Sequence, residues 1–370
     1  MPKHEVIDLD RPGRRSGIRR LKLRPSVDDR PNGKDVGRGW RNGRDWSAIK
    51  DHLHRTVQRA PEVVINVKGS RRTKDDDHTA IEGVLRYMMY ISRNGRLATV
   101  NEKDDRIEGR DSIRDTHASW NLDMQRMRSG NGAGLHPSFN IIFSMPAKTD
   151  PTKMLGAVQA FARDRFQGHQ YLMALHTHET DPADDAPEHP HVHLILRAED
   201  ENGQRIYIRK GDLRMWRDAF AVELRARGIE ANASSRAERG QSLKMRRGAE
   251  WHIDKRNQEK IFKGEALEPA KAKAARLRQA AQELHEEKTG PKPWELAMAA
   301  RRRDVLRELT HNVMQLREEG DSELADQVER FMQDMPPLDT ERRRMQRALV
   351  EQVQKRIQER GQTRDDDPTR

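Results

Sequence analysis

Two histidine-rich segments have the residue types and spacing of a metal site. Because side chains alternate along a strand, His191 and His193 of HVHLILRA share one face. His176 and His178 of QYLMALHTH share a face in the same way, so pairing of the two strands would bring as many as four imidazoles together. Imidazole suits Mn, Zn, Ni or Co, whereas added carboxylates and water favour Mg or Mn. The pattern predicts a divalent metal ion and leaves its identity open.

Two tyrosines lie near the end of a predicted helix, and one of them is expected to be exposed. The segment 81–90 has helical periodicity, with Ile81, Val84, Leu85 and Met88 on its buried stripe. Tyr90 falls nearly opposite this stripe and Tyr87 lies between, so Tyr90 is predicted to be exposed and Tyr87 to pack. A phenol, with a pKa near 10, becomes an adequate nucleophile when a base or a positive charge assists its deprotonation.

Four motifs resemble those of the conjugative relaxases, the mobilisation nucleases, in the branch that includes the relaxase nicking T-DNA borders. The motifs occur in the family's order and the resemblance covers about residues 60–242. They are Tyr90-Ile91-Ser92-Arg93-Asn94-Gly95, Phe143-Ser144-Met145-Pro146, the run His189 to His193 followed by Leu194-Ile195-Leu196, and Ser234-Ser235-Arg236-Ala237-Glu238-Arg239-Gly240.

The resemblance implies a site-specific and strand-specific nickase that initiates conjugative transfer. Tyr90 would attack the scissile phosphate and form a 5′-phosphotyrosine, Ser144 would hydrogen-bond the phosphate or the 3′ end, and His189 would act as the base. The metal, Mg or Mn by preference and otherwise Zn, Ni or Co, would bind His191, His193 and a third ligand. The loop Glu179 to Glu188 is longer than is usual in the family, so that third ligand remains open among His176, His178 and Glu188.

The charge balance favours a polyanionic partner. Lys and Arg total 71 against 60 Asp and Glu, which gives a net charge of +11 and a pI near 9.9. The predicted phosphate contacts, which would give salt-dependent affinity, are Arg93, Arg205, Arg209, Lys210, Arg236 and Arg239. The absence of cysteine excludes disulfides and thiolate metal sites and suits a reducing cytosol. We found no apolar run long enough for a membrane span or a secretory signal, so a cytoplasmic bacterial protein without membrane insertion is expected.

Three regions are predicted. Residues 1–57 read as a basic, disordered arm rich in Gly, Pro and Arg, residues 58–243 as the nuclease domain, and residues 244–370 as a helical C-terminal region. The fold class expected for the nuclease domain is α+β, an antiparallel sheet with helices packed chiefly on one face, as the family resemblance implies.

The expected partners follow from the same resemblance. They are single-stranded DNA at the transfer origin, accessory relaxosome proteins, and the coupling protein of a type IV secretion system, which would dock on the C-terminal helices. The protein would then be translocated while covalently attached to DNA.

Two other functions remain open from the sequence. The run His189, His191 and His193 also resembles the histidine-triad nucleotide phosphohydrolases, in which a histidine is the nucleophile and neither a metal nor a tyrosine is needed. A non-catalytic DNA-binding accessory protein is the other alternative.

Overall fold

The computed structural model describes residues 45–69, 79–122, 136–180, 188–243, 248–263, 265 and 270–365. The chain forms two compact units. In the described ranges the first lies within Trp46–Ser234, and the second comprises Asp45 and residues within Ser235–Arg370. The first unit therefore ends after Ser234, earlier than the border predicted after residue 243. None of the helices in the described ranges combines the length and hydrophobicity needed to span a membrane.

The first unit is built on one antiparallel sheet of six strands, in the order β1-β4-β6-β5-β2-β3. Strands β4, β5 and β6 form its centre, and β1 and β3 are its edges. The strands are β1 (Val64–Gly69), β2 (Thr99–Asn101), β3 (Arg106–Ile107), β4 (Ser138–Ser144), β5 (His169–His176) and β6 (His191–Asp200).

One face of the sheet carries the larger hydrophobic core. Helices α4 (Pro151–Arg165) and α5 (Lys210–Arg225) pack here. Helix α4 begins as its sequence predicts, because the Asp150 carboxylate caps the first turn and Pro151 occupies the first helical position. Phe161 of α4 lies edge-on to Phe143 of β4, with ring centroids 5.2 Å apart. The apolar residues of each strand that alternate with the histidines and Ser144 are buried on this side.

The opposite face is covered in part by α2 (Thr79–Ile91) and α3 (Arg110–Ser119). These helices bury a smaller cluster against the sheet, which consists of Val84, Met88, Ile91, Ile113, Trp120, Leu172, Ala174 and Ile195. The α+β class and the antiparallel sheet are thus confirmed. The helices, however, lie on both faces rather than chiefly on one, and the functional side chains share the face of α2.

The structure differs from the sequence prediction at the start of the first unit. Helix α1 spans Trp46–Val57, within the region predicted as a disordered arm, and it buries Ile49 and Leu53. Asn232 donates a hydrogen bond to the Thr56 hydroxyl at 3.0 Å, which ties the helix to the end of the unit. The signal was present, since Trp46, Ile49 and Leu53 have helical spacing, but it is one short stripe among basic residues. The rest of the predicted arm, residues 1–44, lies outside the described residues.

The second unit is helical in its described parts, as the sequence predicts. Its helices are α6 (Gly248–Lys263), α7 (Lys271–His285), α8 (Pro293–Glu318), α9 (Ser322–Gln333) and α10 (Glu341–Asp365). Leu309 and Leu316 of α8 and Val328 of α9 are fully buried. Arg342 joins α10 to the others, because its guanidinium pairs with Glu283 of α7 at 2.5 Å and with Glu295 of α8 at 3.0 Å.

Candidate active site

Three histidines from the two central strands form one cluster. His176 on β5 and His191 on β6 are direct cross-strand partners, and His193 lies two residues further along β6 on the same face. Their ring centroids are 4.5 to 5.3 Å apart, and their potential ligand atoms all lie within 4.8 Å of one another. All three side chains are at most 8% exposed. The alternation predicted for His191 and His193 is therefore present.

Two of the imidazoles have one ring nitrogen fixed by a backbone carbonyl. His176 Nε2 donates to the Ile91 carbonyl at 2.8 Å, and His191 Nδ1 donates to the His189 carbonyl at 3.2 Å. Because a carbonyl only accepts, each of these nitrogens carries the proton and the other nitrogen of each ring carries the lone pair. The Arg93 guanidinium donates to that lone pair on His176 Nδ1 at 3.1 Å.

His193 is held in its neutral form. Burial lowers the pKa of His193 most, and together with the charges of His176, His191, Arg93 and Lys68 it brings that pKa to about 3. Its Nε2 is buried and has no hydrogen-bond partner among the described residues. A neutral imidazole with an unsatisfied buried nitrogen beside two others is a donor set that fits a divalent metal ion.

The structure separates the three candidates for the third ligand. His176 lies in the cluster. His178 lies beyond the end of β5, where the strand alternation no longer applies, and its side chain is exposed. Glu188 is exposed before β6, and neither residue belongs to the group of metal-ligating side chains found among the described residues. His189 is also exposed, with its ring centroid 5.7 Å from that of His191, so it stands beside the cluster.

Tyr90 projects from the last turn of α2 next to the histidines. It is 50% exposed, and its ring centroid lies 5.7 Å from that of His193 and 6.2 Å from that of His176. The Arg93 guanidinium lies 5.3 Å from the centre of the Tyr90 ring, within cation-π range. The accessible Tyr90 phenol therefore lies next to both the Arg93 guanidinium and the histidine cluster.

Tyr87 occupies a different position in the same cluster. It is half-buried, its hydroxyl lies 2.9 Å from His193 Nδ1, and burial raises its pKa well above the ordinary value. The expected contrast between an exposed Tyr90 and a packed Tyr87 is present, and Tyr87 is the member of the pair that keeps its proton.

The turn after Tyr90 explains the rest of its motif. Ile91, the last residue of α2, is fully buried, and the Ser92 hydroxyl accepts a hydrogen bond from the Gly95 amide at 3.1 Å. Arg93, Asn94 and Gly95 all have positive φ angles of 50°, 58° and 80°. A Cβ on Gly95 would lie 2.4 Å from the Arg110 amide nitrogen, so the position requires glycine. This turn sets the direction in which Arg93 reaches back to the site.

Ser144 is the last residue of β4 and lies on the face of the sheet that carries the histidines. It is the cross-strand partner of His191 on one side and of Val64 on the other, and it is half-buried. Asn140 shares its face, while Phe143 and Met145 are buried in the opposite core, as the alternation predicts. Ser144 therefore stands in the same row as His191 and His176.

The predicted phosphate contacts lie in different environments. Arg205 does not have the exposure that its predicted role as a phosphate contact requires. It is only 2% exposed, and its guanidinium donates to the His136 carbonyl at 2.8 Å and pairs with Glu199 at 3.5 Å. Because its guanidinium is buried and hydrogen-bonded within the first unit, Arg205 is not positioned to contact a DNA phosphate. Arg209 is exposed just before α5, and Lys210 is the first residue of that helix.

The motif Ser234 to Gly240 runs across the division between the units. Ser235 and Glu238 cap each other's backbone amides in a turn, and Glu238 is fully buried. Arg236 is exposed and Arg239 is half-buried, both within the second unit. Ser235 and Glu238 of this motif therefore stabilise the turn.

The sequence analysis did not identify Lys68 as a site residue. It is exposed on β1, it faces the same side as Asn140, its cross-strand partner, and its charge acts on His193. Alternation in EVVINVK indicated a polar face for Lys68, but the pairing of β1 with β4 could not be read from the sequence.

Comparisons with known proteins identify the first unit. The family model described as "Relaxase: MobA/VirD2-like, nuclease domain" matches residues 90–228. A search of curated proteins found no significant match. A solved structure from work on the molecular basis of vancomycin resistance transfer in Staphylococcus aureus is 15% identical, matches over 47% of this chain and 99% of its own length, and has a TM-score of 0.31. The family match begins at Tyr90 and spans both histidine strands, and the chain therefore contains a nuclease domain of the MobA/VirD2-like relaxase family.

Proposed function

We propose that this protein is a site-specific and strand-specific DNA relaxase that nicks a transfer origin and retains the 5′ end on Tyr90. The observation that carries the proposal is the exposed Tyr90 ring 5.7 Å from His193, at the edge of a three-histidine cluster within a relaxase nuclease domain. Conjugative transfer of a plasmid or integrative element would begin at this nick.

The proposed reaction is a transesterification. The Tyr90 phenol oxygen attacks the scissile phosphorus, the bond from phosphorus to the 3′ oxygen breaks, and the 5′ phosphate remains on the tyrosine. The phenol proton passes to a base, for which the exposed His189 is our candidate, and the departing 3′ oxygen takes up a proton. Attack by the 3′ hydroxyl on the phosphotyrosine reverses the reaction without another source of energy.

The guanidinium of Arg93 has a role at the nucleophile. It lies against the Tyr90 ring and donates to His176, so its charge is held where a phenolate and a phosphate would meet. A positive charge in this position stabilises the negative charge that develops on the attacking oxygen and the phosphate in the transition state.

His176, His191 and His193 are the residues that would hold a divalent metal ion. When bound, the ion would polarise the scissile phosphate as a Lewis acid and fix its position. Three imidazole nitrogens without a carboxylate favour Mn, Zn, Ni or Co over Mg. We therefore place Mn ahead of Mg, the two ions preferred from the sequence.

The remaining contacts to single-stranded DNA are assigned by position and charge. Ser144 would hydrogen-bond the phosphate or the 3′ end, since it shares a row with His191. Arg209, Lys210, Arg236 and Arg239 would contact phosphates, and the basic residues 1–44 would add affinity without sequence specificity. The C-terminal helices would dock on accessory relaxosome proteins or on a type IV coupling protein, and the protein would act in the cytoplasm before translocation with its DNA.

A Tyr90→Phe variant tests the proposal. The full chain is incubated with Mn²⁺ and DNA from the region flanking its own gene, and covalent adducts are detected as a shifted band on a denaturing gel. The wild type and Tyr207→Phe, a matched control in the segment before α5, should form the adduct, whereas Tyr90→Phe should bind the DNA and form none.

Other outcomes of this experiment identify the alternatives. Adduct formation by Tyr90→Phe would refute the role of Tyr90. Hydrolysis of nucleotides that continues in EDTA would favour a histidine-triad phosphohydrolase, and DNA binding without nicking by the wild type would favour an accessory protein.

A further inference from the structure

Tyr87 contacts the histidine cluster from inside the helix that carries Tyr90. Its hydroxyl lies 2.9 Å from His193 Nδ1, and its ring stands edge-on to the His193 ring with centroids 6.0 Å apart. Tyr87 is half-buried, so this hydrogen bond is largely shielded from water. The proposed transesterification does not require this hydrogen bond.

The three histidines differ in what fixes their protonated nitrogen. His176 and His191 each donate to a backbone carbonyl, which leaves a lone pair on the other nitrogen. His193 has a phenol instead, a group that can donate or accept. The state of His193 therefore depends on which way the hydrogen bond with Tyr87 runs.

The surroundings of His193 favour one direction. Arg93 and Lys68 both place positive charge near its ring. Its Nε2 is buried and has no hydrogen-bond partner among the described residues, so an N–H group there would be unsatisfied, and the proton lies instead on Nδ1, facing Tyr87. In this tautomer each of the three imidazoles carries a lone pair on one ring nitrogen, and the lone pair of His176 accepts a hydrogen bond from Arg93.

We propose that Tyr87 is a positioning residue that accepts a hydrogen bond from His193 Nδ1 and so holds His193 Nε2 ready to bind a divalent cation. The inference rests on the proposed metal site and adds the residue that completes it. Partners of this kind orient a ligating ring and fix its tautomer. Burial raises the pKa of Tyr87, so the phenol stays neutral. Helix α2 then supplies both the nucleophile and the partner of a ligand, one turn apart.

A pair of identical substitutions tests the inference on the full chain. Tyr87→Phe removes the hydroxyl and keeps the ring, and Tyr90→Phe makes the same change 5.9 Å away, at a tyrosine in ring contact with His193. Binding of Mn²⁺ alone is measured by titration calorimetry. Tyr87→Phe should weaken binding by about 10- to 100-fold, and Tyr90→Phe should leave it unchanged.

Two further measurements separate positioning from catalysis and from misfolding. Adduct formation by Tyr87→Phe should return at excess Mn²⁺, which would not happen if Tyr87 were the nucleophile. Long-range proton–nitrogen NMR of the wild type without metal should show the proton of His193 on Nδ1, and this readout needs no variant.

The inference is overturned by a proton on His193 Nε2, by unchanged Mn²⁺ affinity in Tyr87→Phe, or by adduct formation that excess Mn²⁺ does not restore. If the wild type binds no Mn²⁺ and no other divalent ion, the metal site itself fails. If the wild type binds Mn²⁺ and only the Tyr87→Phe result fails, the proposed relaxase reaction stands and the role of Tyr87 does not.

Discussion

We expect a glycine-to-alanine substitution in the turn that follows Tyr90 to destabilise the first unit. The same substitution in helix α2, which precedes the turn, should stabilise it. Gly95 has a φ of +80°, and a Cβ placed on it would lie 2.4 Å from the Arg110 nitrogen and 2.5 Å from the Gly109 carbonyl carbon. These are backbone atoms that no side-chain rotation can move. Gly83, inside α2, has nothing within 4 Å of its Cβ position.

The expected free energies of unfolding follow from this geometry. Gly95→Ala incurs about 1 to 2 kcal/mol for a left-handed residue with a Cβ and about 1 to 3 kcal/mol for the forced backbone displacement. The first unit should therefore lose about 2 to 5 kcal/mol. Gly83→Ala should stabilise it by about 0.5 to 1 kcal/mol, because alanine costs less conformational entropy in a helix.

Hydrogen exchange of the β6 amides measures both effects without interference from the second unit. Exchange under native conditions reports the opening free energy of the sheet, and the covalent adduct assay reports the position of Tyr90. Gly95→Ala should also reduce adduct formation, since the displaced turn carries Arg93. Equal effects of the two substitutions on exchange, or a stable Gly95→Ala sheet, would refute the argument.

Three further predictions concern acid and the two ends of the chain. The first unit should become less stable as the pH falls from about 6.5 towards 3, because His193 has a pKa of about 3 in the folded protein and the unfolded chain takes up this proton near the ordinary histidine pKa of about 6.5. Urea unfolding without metal at several pH values measures this, and His193→Gln should reduce the slope. Removal of residues 1–44, which carry 13 Lys and Arg against 6 Asp and Glu and so a net +7, should flatten the dependence of DNA affinity on salt and leave adduct formation intact at low salt. A chain ending near Gly248 should still nick DNA but transfer it poorly in mating assays, and loss of nicking in vitro would show that the second unit belongs to the catalytic machinery.

Features that depend on a local repeat could be predicted from the sequence. The strand alternation placed His191 and His193 on one face, and the 100° periodicity of α2 separated an exposed Tyr90 from a packed Tyr87. The antiparallel α+β class and the relaxase family are confirmed. Each of these follows from spacing within a single element or from motifs in a fixed order.

Features that depend on where an element ends or what it meets could not be predicted. His178 fits the alternation of β5 but lies past its end, and only the register with β6 shows that His176 lies beside His191. Arg205 has the composition of a phosphate contact, yet tertiary packing encloses it beside Glu199 and the His136 carbonyl. The bond between Tyr87 and His193 joins residues 106 positions apart, for which a single sequence offers no signal.

The pairing of β6 with its neighbours determines both the arrangement of the candidate site and the stability of the core. A shift of one residue would turn His191 and His193 towards the aliphatic core and bring Val192 and Leu194 out to the site. An insertion within β6 would thus destroy the core together with the site, and the product would be a substrate for cellular proteases rather than a stable inactive protein. Insertions between His176 and His191, in contrast, leave the register of both strands unchanged. We therefore expect natural variation in length to accumulate in this connection and to be purged from β6.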